Sequence, residues 1–282
     1  MKKFYTLIIT LLFAGSAQLV QAQNGLKMPQ PSTSQTIMQE FGLGKVTLTY
    51  SRPNVKGRKI FGGLEPYGQV WRTGANSATV ITFADDVTIE GNKVPAGEYA
   101  LFTIPNANEW TIILNKTTKQ WGAYEYKQAD DVLRFKVKAD KTSALIETFT
   151  MQFGNVKPTT AELNLMWERT SVTLHLTTEI DSRIMANIDE AMKATEKKPY
   201  FAAAQYYYEN NKDMNKALEW ITEAEKTDMK APYYKYWKAR IQLKKGDKAA
   251  AIATAKEGAR VAKEAKNDEY VRLNEGVIAQ AK

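Results

Sequence analysis

The sequence predicts an α+β chain of two domains: an N-terminal antiparallel β-sandwich, or a barrel-like relative of one, followed by a C-terminal array of α-helical hairpins. Three observations carry this. Apolar residues recur at every second position up to about residue 180, and at helical spacing beyond it. No helical pattern interrupts the first stretch, so its strands must connect through turns and pair antiparallel. The second stretch repeats itself, with Asp213 aligned on Asp247 at an offset of 34 residues. A length of 282 residues accommodates two domains, divided here as 23–180 and 181–282.

The chain opens with Met1, Lys2 and Lys3, an uncharged and mostly apolar run from Phe4 to Ala14, and Val20-Gln21-Ala22 at the small-residue positions of a signal-peptidase site. The run is well short of the ~20 residues that span a bilayer as a helix. The expectation is a cleaved signal peptide over 1–22, a mature terminus at Gln23, no stable membrane span, and a periplasmic or secreted bacterial product.

Composition removes several function classes. There is no Cys, so disulfide frameworks, thiolate metal sites, thiol nucleophiles and lipidated Cys are excluded. The single His, His175, excludes any site needing two imidazoles. The net charge is +8, but acids interleave with the bases and no basic block forms the face that nucleic acid requires. Nothing calls for a metal or a cofactor.

The elements follow in order. Lys45–Ser51 alternates polar and apolar, as do the runs holding Leu133, Phe135 and Val137; Phe149, Met151 and Phe153; Leu163, Leu165 and Trp167; and Val172, Leu174 and Leu176. Tyr99–Ile104 and Trp110–Leu114 are continuously apolar and suit central strands. Glu90-Gly91-Asn92, Pro95-Ala96-Gly97 and Pro105–Asn108 read as turns. The count is about ten short strands. Six helices are then expected, at 182–196, 199–210, 214–227, 232–245, 248–265 and 268–281. Asp181 is placed to cap the first, and Pro199 and Pro232 stand where helices begin. The offset that relates Asp213 to Asp247 also relates Ala217 to Ala251, Leu218 to Ile252 and Ala224 to Gly258. In this the region resembles the tetratricopeptide repeat. The likeness covers about 199–266 and is imperfect, since Gln205 stands where the second repeat has Ala239.

The segment with the most unusual chemistry is Ser51–Thr79. It combines Gly and Pro with Arg52, Lys56, Arg58, Tyr67, Trp71, Arg72, Thr73 and Asn76. The run from Tyr50 to Thr79, with Val94–Pro105 continuing to Trp110 and Asp131-Val132-Leu133-Arg134, resembles the bacterial domain-of-unknown-function family 2911 over about 35–178. The resemblance brings no reaction, substrate or cofactor, and implies an exported protein of which some members append helical repeats. A hydrophobic residue often precedes Pro66 in that family; Glu65 stands there here, a departure that reads as peripheral.

Physically, guanidinium groups and a Gly-rich backbone suit a carboxylate, phosphate or sulfate, and Tyr67 and Trp71 offer flat faces to a sugar. The named residues are therefore candidate contacts for a small anionic or glycan ligand. The bland alternative is favoured: Arg side chains stacking on Trp and holding the carbonyls of a long loop, with Arg72 as the latch. No catalytic residues are assigned. His175 reads as facing solvent, and the pairs Asp85-Asp86 and Asp130-Asp131 lack the spacing of a calcium loop. The aromatic-rich helices, with Tyr206-Tyr207-Tyr208 unable to face one way together, suggest contact with another surface. The expected function is non-catalytic binding or scaffolding in the bacterial envelope, with an envelope protein or peptide held by the helical repeats. The alternative is a hydrolase of envelope glycans with its site around residues 52–79.

Overall fold

The computed structural model describes residues 28–195 and 197–282; the segment read as a signal peptide, and Gln23, lie outside the described residues. Two compact units divide the chain, one ending at Glu179 and one spanning Ile180–Lys282.

The first unit holds nine strands among the described residues: β1 (Thr33–Phe41), β2 (Gly44–Arg52), β3 (Thr79–Phe83), β4 (Val87–Ile89), β5 (Asn92–Val94), β6 (Gly97–Ile104), β7 (Glu109–Asn115), β8 (Asp131–Gly154) and β9 (Thr160–Thr177). They form one antiparallel sheet in the order β1-β2-β3-β6-β7-β8-β9-β4-β5. The expected sandwich or barrel is thus a large sheet folded back over a main apolar core, with a smaller cluster around Phe102 and Ile113. Residues from distant places in the strand order, such as Leu48 and Tyr50 of β2 with Leu163 and Leu174 of β9, share one cluster.

The strand count falls below the expected number because two pairs of alternating runs are continuous. The runs at Leu133–Val137 and Phe149–Phe153 are the two limbs of β8. The first pairs with β7 and the second with β9, and register shifts between Lys141 and Thr150 allow the bend. The runs at Leu163–Trp167 and Val172–Leu176 are likewise one strand. Their buried set passes from odd to even positions, and Glu168, with φ 57°, stands at the change. A bulge absorbs one residue and keeps both limbs facing the core. Strand β1 was not anticipated from the alternation because its only buried residue is Phe41 and most of its side chains are polar.

The second unit contains α1 (Asp181–Ala191), α2 (Tyr200–Glu209), α3 (Met214–Thr227), α4 (Pro232–Lys244), α5 (Lys248–Glu264) and α6 (Asp268–Ala281). Asp213 caps α3, accepting the N–H groups of Asn215 and Lys216, and Asp247 caps α5, accepting that of Ala250. These caps are the aligned pair of the 34-residue offset, and the aligned Ala217 and Ala251 are both fully buried, where small side chains let helices approach. Asp181 departs from expectation. It is the first residue of α1 and makes no cap; its carboxylate accepts instead from Tyr206 Oη at 2.6 Å and Lys212 Nζ at 2.7 Å. Among the described residues, no helix is long and apolar enough to cross a membrane.

A buried ionic group ties α3 to α4. Glu225 accepts from Lys235 Nζ at 2.7 Å and Lys238 Nζ at 2.8 Å. Burial pushes its carboxyl up, but the two lysine hydrogen bonds outweigh this and hold it below the usual carboxylate range. Removing one partner of such a group is strongly destabilising. Lys235→Ala is expected to lower stability by roughly 2–4 kcal/mol in a denaturant melt at neutral pH. Because the folded-state pKa of Glu225 is depressed, the group stabilises above the ordinary carboxylate range and loses that contribution as pH falls through the folded value. The gap between wild type and variant should therefore close on acidification.

Candidate functional site

The segment 53–78 is irregular but hydrogen-bonded along its length. Isolated bridges join Asn54 to Thr148, Phe61 to Glu65, Trp71 to Thr103 and Ser77 to Trp121. Val55 N–H donates to Glu147 O at 2.7 Å, and Phe149 N–H to Pro53 O at 2.8 Å. The segment therefore continues β2 across to the second limb of β8 and then crosses the sheet to β6.

Trp71 is its centre. The residue is 2 % exposed. Its ring stacks on Trp167 at 5.8 Å and meets Phe61, Trp110 and Phe149 edge-on, arrangements that suit the aromatic quadrupole. Its indole N–H donates to Gly74 O at 3.0 Å, and its backbone exchanges two hydrogen bonds with Thr103. Closing that indole contact requires a tight turn. Thr73 adopts φ 55°, a costly conformation for a β-branched residue. It is held by its hydroxyl, which donates to Thr103 Oγ1, and by its carbonyl, which accepts from Thr79 Oγ1 at 2.6 Å. Gly74, at φ 153°, lies so close to the β2 backbone that a Cβ would stand 2.8 Å from Ser51 O.

The other candidate contacts divide sharply. Arg52 donates to Phe149 O at 3.1 Å and Thr150 Oγ1 at 3.0 Å, binding β2 to β8. Arg58 donates to Val55 O and Asn54 O within its own loop. Asn76, at φ 59°, donates to Ser32 O and Ser51 Oγ. Lys56 contributes its backbone N–H to Glu147 Oε1 at 2.8 Å. Trp71 and Thr73 are interior. Tyr67 is exposed, its ring lying over Gly62. The polar groups of Arg52, Arg58, Thr73 and Asn76 are thus engaged by the protein itself.

Arg72 is different, and not the latch that the sequence suggested. Its Nε is buried with no hydrogen-bond partner, and no ion pair is formed to it among the described residues. Its charge acts on Glu65, a half-buried carboxyl whose position reads as peripheral in the sequence. Burial pushes Glu65 from 4.5 up to about 7, with Arg72 and Arg58 opposing the rise. The signal lay in the family resemblance, which implies a hydrophobic residue at this position; an acid there is an acid in a desolvated place.

The remaining candidates are accounted for locally. His175 is exposed, and its Nδ1 lies 2.7 Å from Glu90 Oε1, at a cleft of about 360 Å³ that Lys157 and Glu162 also line. Asp86 accepts from Ala96 N–H. Asp130 pairs with Lys116, and Asp131 accepts from Asn115 and Tyr126. No group of three or more metal-ligating side chains occurs among the described residues.

The model of the family described as a protein of unknown function (DUF2911) matches residues 32–176, more than half of the chain, and the chain belongs to that family. No curated protein and no solved structure matches it.

The division among the arginines is measurable. Arg52→Ala leaves a part-buried carbonyl and hydroxyl without a donor and should lower stability by about 1–3 kcal/mol. Arg72→Ala removes no hydrogen bond and should stay within about 0.5 kcal/mol of wild type. Paired denaturant melts read both; equal losses would return Arg72 to a latch.

Proposed function

We propose that this DUF2911 protein is a non-catalytic binding protein of the bacterial envelope, whose helical unit, built as tetratricopeptide-like hairpins, holds a segment of another protein. The observation that carries this reading is the aromatic and cationic face of α2 and α4. Arg240 lies 4.4 Å from the centroid of Trp237, 4.5 Å from Tyr208 and 5.3 Å from Tyr236, and Lys244 lies 4.4 Å from Tyr208. Phe201 meets Tyr233 and Tyr234, and Tyr270 of α6 meets Tyr233 and Tyr236. These half-buried rings combine flat apolar area, restricted rotamers and fixed positive charge, the features of anchor residues in protein interfaces. The chemistry suits a segment with acidic and apolar side chains. Export is supported by the basic start, the short apolar run and the small residues at Val20 and Ala22.

The full chain, immobilised and exposed to envelope extract of its own cells, should retain a specific protein identified by mass spectrometry. Arg240→Glu should abolish that retention by reversing the charge, without changing the helical circular dichroism. Retention unaffected by Arg240→Glu would contradict the reading.

One observation favours a second reading, a hydrolase of envelope glycans at the signature segment. A carboxyl that burial pushes up to about 7, as it does Glu65, suits a general acid at neutral pH. That reading requires the wild-type chain to release reducing ends from purified envelope glycan, and Glu65→Gln to stop it. No release by wild type rejects it.

A further inference from the structure

Trp121 and Tyr124 are the most exposed aromatic side chains among the described residues, at 65 % and 85 %. Both stand on the segment 116–127 that leads from β7 towards β8, and this segment is firmly held. Ala78 N–H donates to Gln120 O and Gly122 N–H to Asn76 O, each at 2.9 Å, and Ser77 bridges Trp121. Gln120 is buried and donates to Thr117 O at 2.6 Å. Ala123 and Tyr126 pack on the cluster of Ala78, Ala100, Phe102 and Ile113, and Tyr126 Oη donates to Asp131 at 2.7 Å. Gln120, Gly122, Ala123 and Tyr126 thus anchor the segment while Trp121 and Tyr124 are held out to solvent. Gly122 completes the arrangement. Its φ is 70°, and a Cβ there would stand 2.7 Å from the Tyr124 ring, which therefore lies over its backbone.

Large exposed rings on a preorganised support call for a ligand, because leaving them in water forgoes the free energy of burying them. We infer that Trp121 and Tyr124 form a stacking platform for a glycan. A pyranose ring has a flat C–H face that packs on an aromatic ring, and a rim of hydroxyl groups that both donate and accept. The exposed polar groups of the segment, Lys116, Lys119, Glu125 and Lys127, with Ser77 across the bridge, can donate to and accept from that rim. Three lysines and one glutamate make the segment rich in donors for sugar hydroxyl groups. Area also separates the possible occupants. At roughly 150–250 Å² for a whole aromatic side chain, the exposed parts of the two rings present roughly 300 Å² together. That is the scale of one or two sugar units and far below the ~800 Å² per partner of a stable protein interface. The platform uses no residue of the helical face. It places glycan contact on the segment that the signature run supports, rather than on the arginines of that run.

The test uses the full chain and three soluble probes: the tetramers of β-1,4-glucose, β-1,4-N-acetylglucosamine and α-1,4-glucose. At least one should bind in a calorimetric titration and alter tryptophan emission. Trp121→Ala and Tyr124→Ala should each weaken binding about tenfold, and the double variant should not bind, while its melting temperature stays that of wild type. Failure of all three tetramers to bind at millimolar concentration would overturn the proposal, as would a double variant that binds like wild type. Self-association of the wild type that disappears in the double variant, without sugar binding, would assign the rings to a second copy and equally overturn it. None of these outcomes depends on the helical unit's partner, so the two readings fail separately.

Discussion

The burial of one indole, that of Trp71, is the constraint from which the organisation of the β-unit follows. Once the ring lies between Phe61, Trp110, Phe149 and Trp167, its N–H needs an acceptor inside the protein, because an unpaired buried donor is costly. Gly74 O supplies it. To bring that carbonyl back, the chain accepts φ 55° at Thr73 and a side-chain-free position at Gly74. The turn in turn sets Asn76 against β2 and Ser77 against Trp121. The same ring joins residues from both limbs of the folded-back sheet, since Trp110 belongs to β7, Phe149 to β8 and Trp167 to β9. Replacing such a side chain by Ala removes contacts worth about 3–5 kcal/mol in general, and here it would also release the segment.

A run of sequence rich in Arg, Gly and Trp reads equally well as a ligand loop or as a structural clasp, and the two differ only in where the donors go. In this protein Arg52 binds β8, Arg58 binds its own loop, and Asn76 binds β2 and the chain before β1. The clasp therefore accounts for most of the signature. What it leaves over is small and specific: an unpartnered Arg72 Nε and a Glu65 carboxyl that burial makes hard to ionise.

Much of the architecture was legible in the sequence because two periods are hard to confuse over long stretches. Helices α2 to α6 lie within a residue or so of their expected spans, whereas α1 ends at Ala191, five residues short of the expected 196, and the 34-residue offset reappears as the matched caps Asp213 and Asp247. Other features were not legible. Alternation detects strand segments but not their continuity, so the limbs of β8 and β9 were read as separate strands; only pairing partners reveal the bulges that join them. The role of Asp181 depended on Tyr206 and Lys212 arriving from the next hairpin, which no local pattern encodes. Residue type identified the signature arginines as donors, but their acceptors, Phe149 O for Arg52 above all, lie nearly a hundred positions away. Trp121 and Tyr124 carried no signal, because a sequence does not record which aromatic side chains remain outside.

The account's central claim is that the signature segment is part of the rigid core, and native-state hydrogen exchange tests it most directly. Protection measured at the amides of Val55, Trp71 and Thr79 and at the Trp71 indole N–H should equal that of Leu101 and Ile112 in the central strands, all exchanging only through global unfolding. Exchange of the segment through local opening, orders of magnitude faster than those strands, would mean a mobile loop and contradict the account.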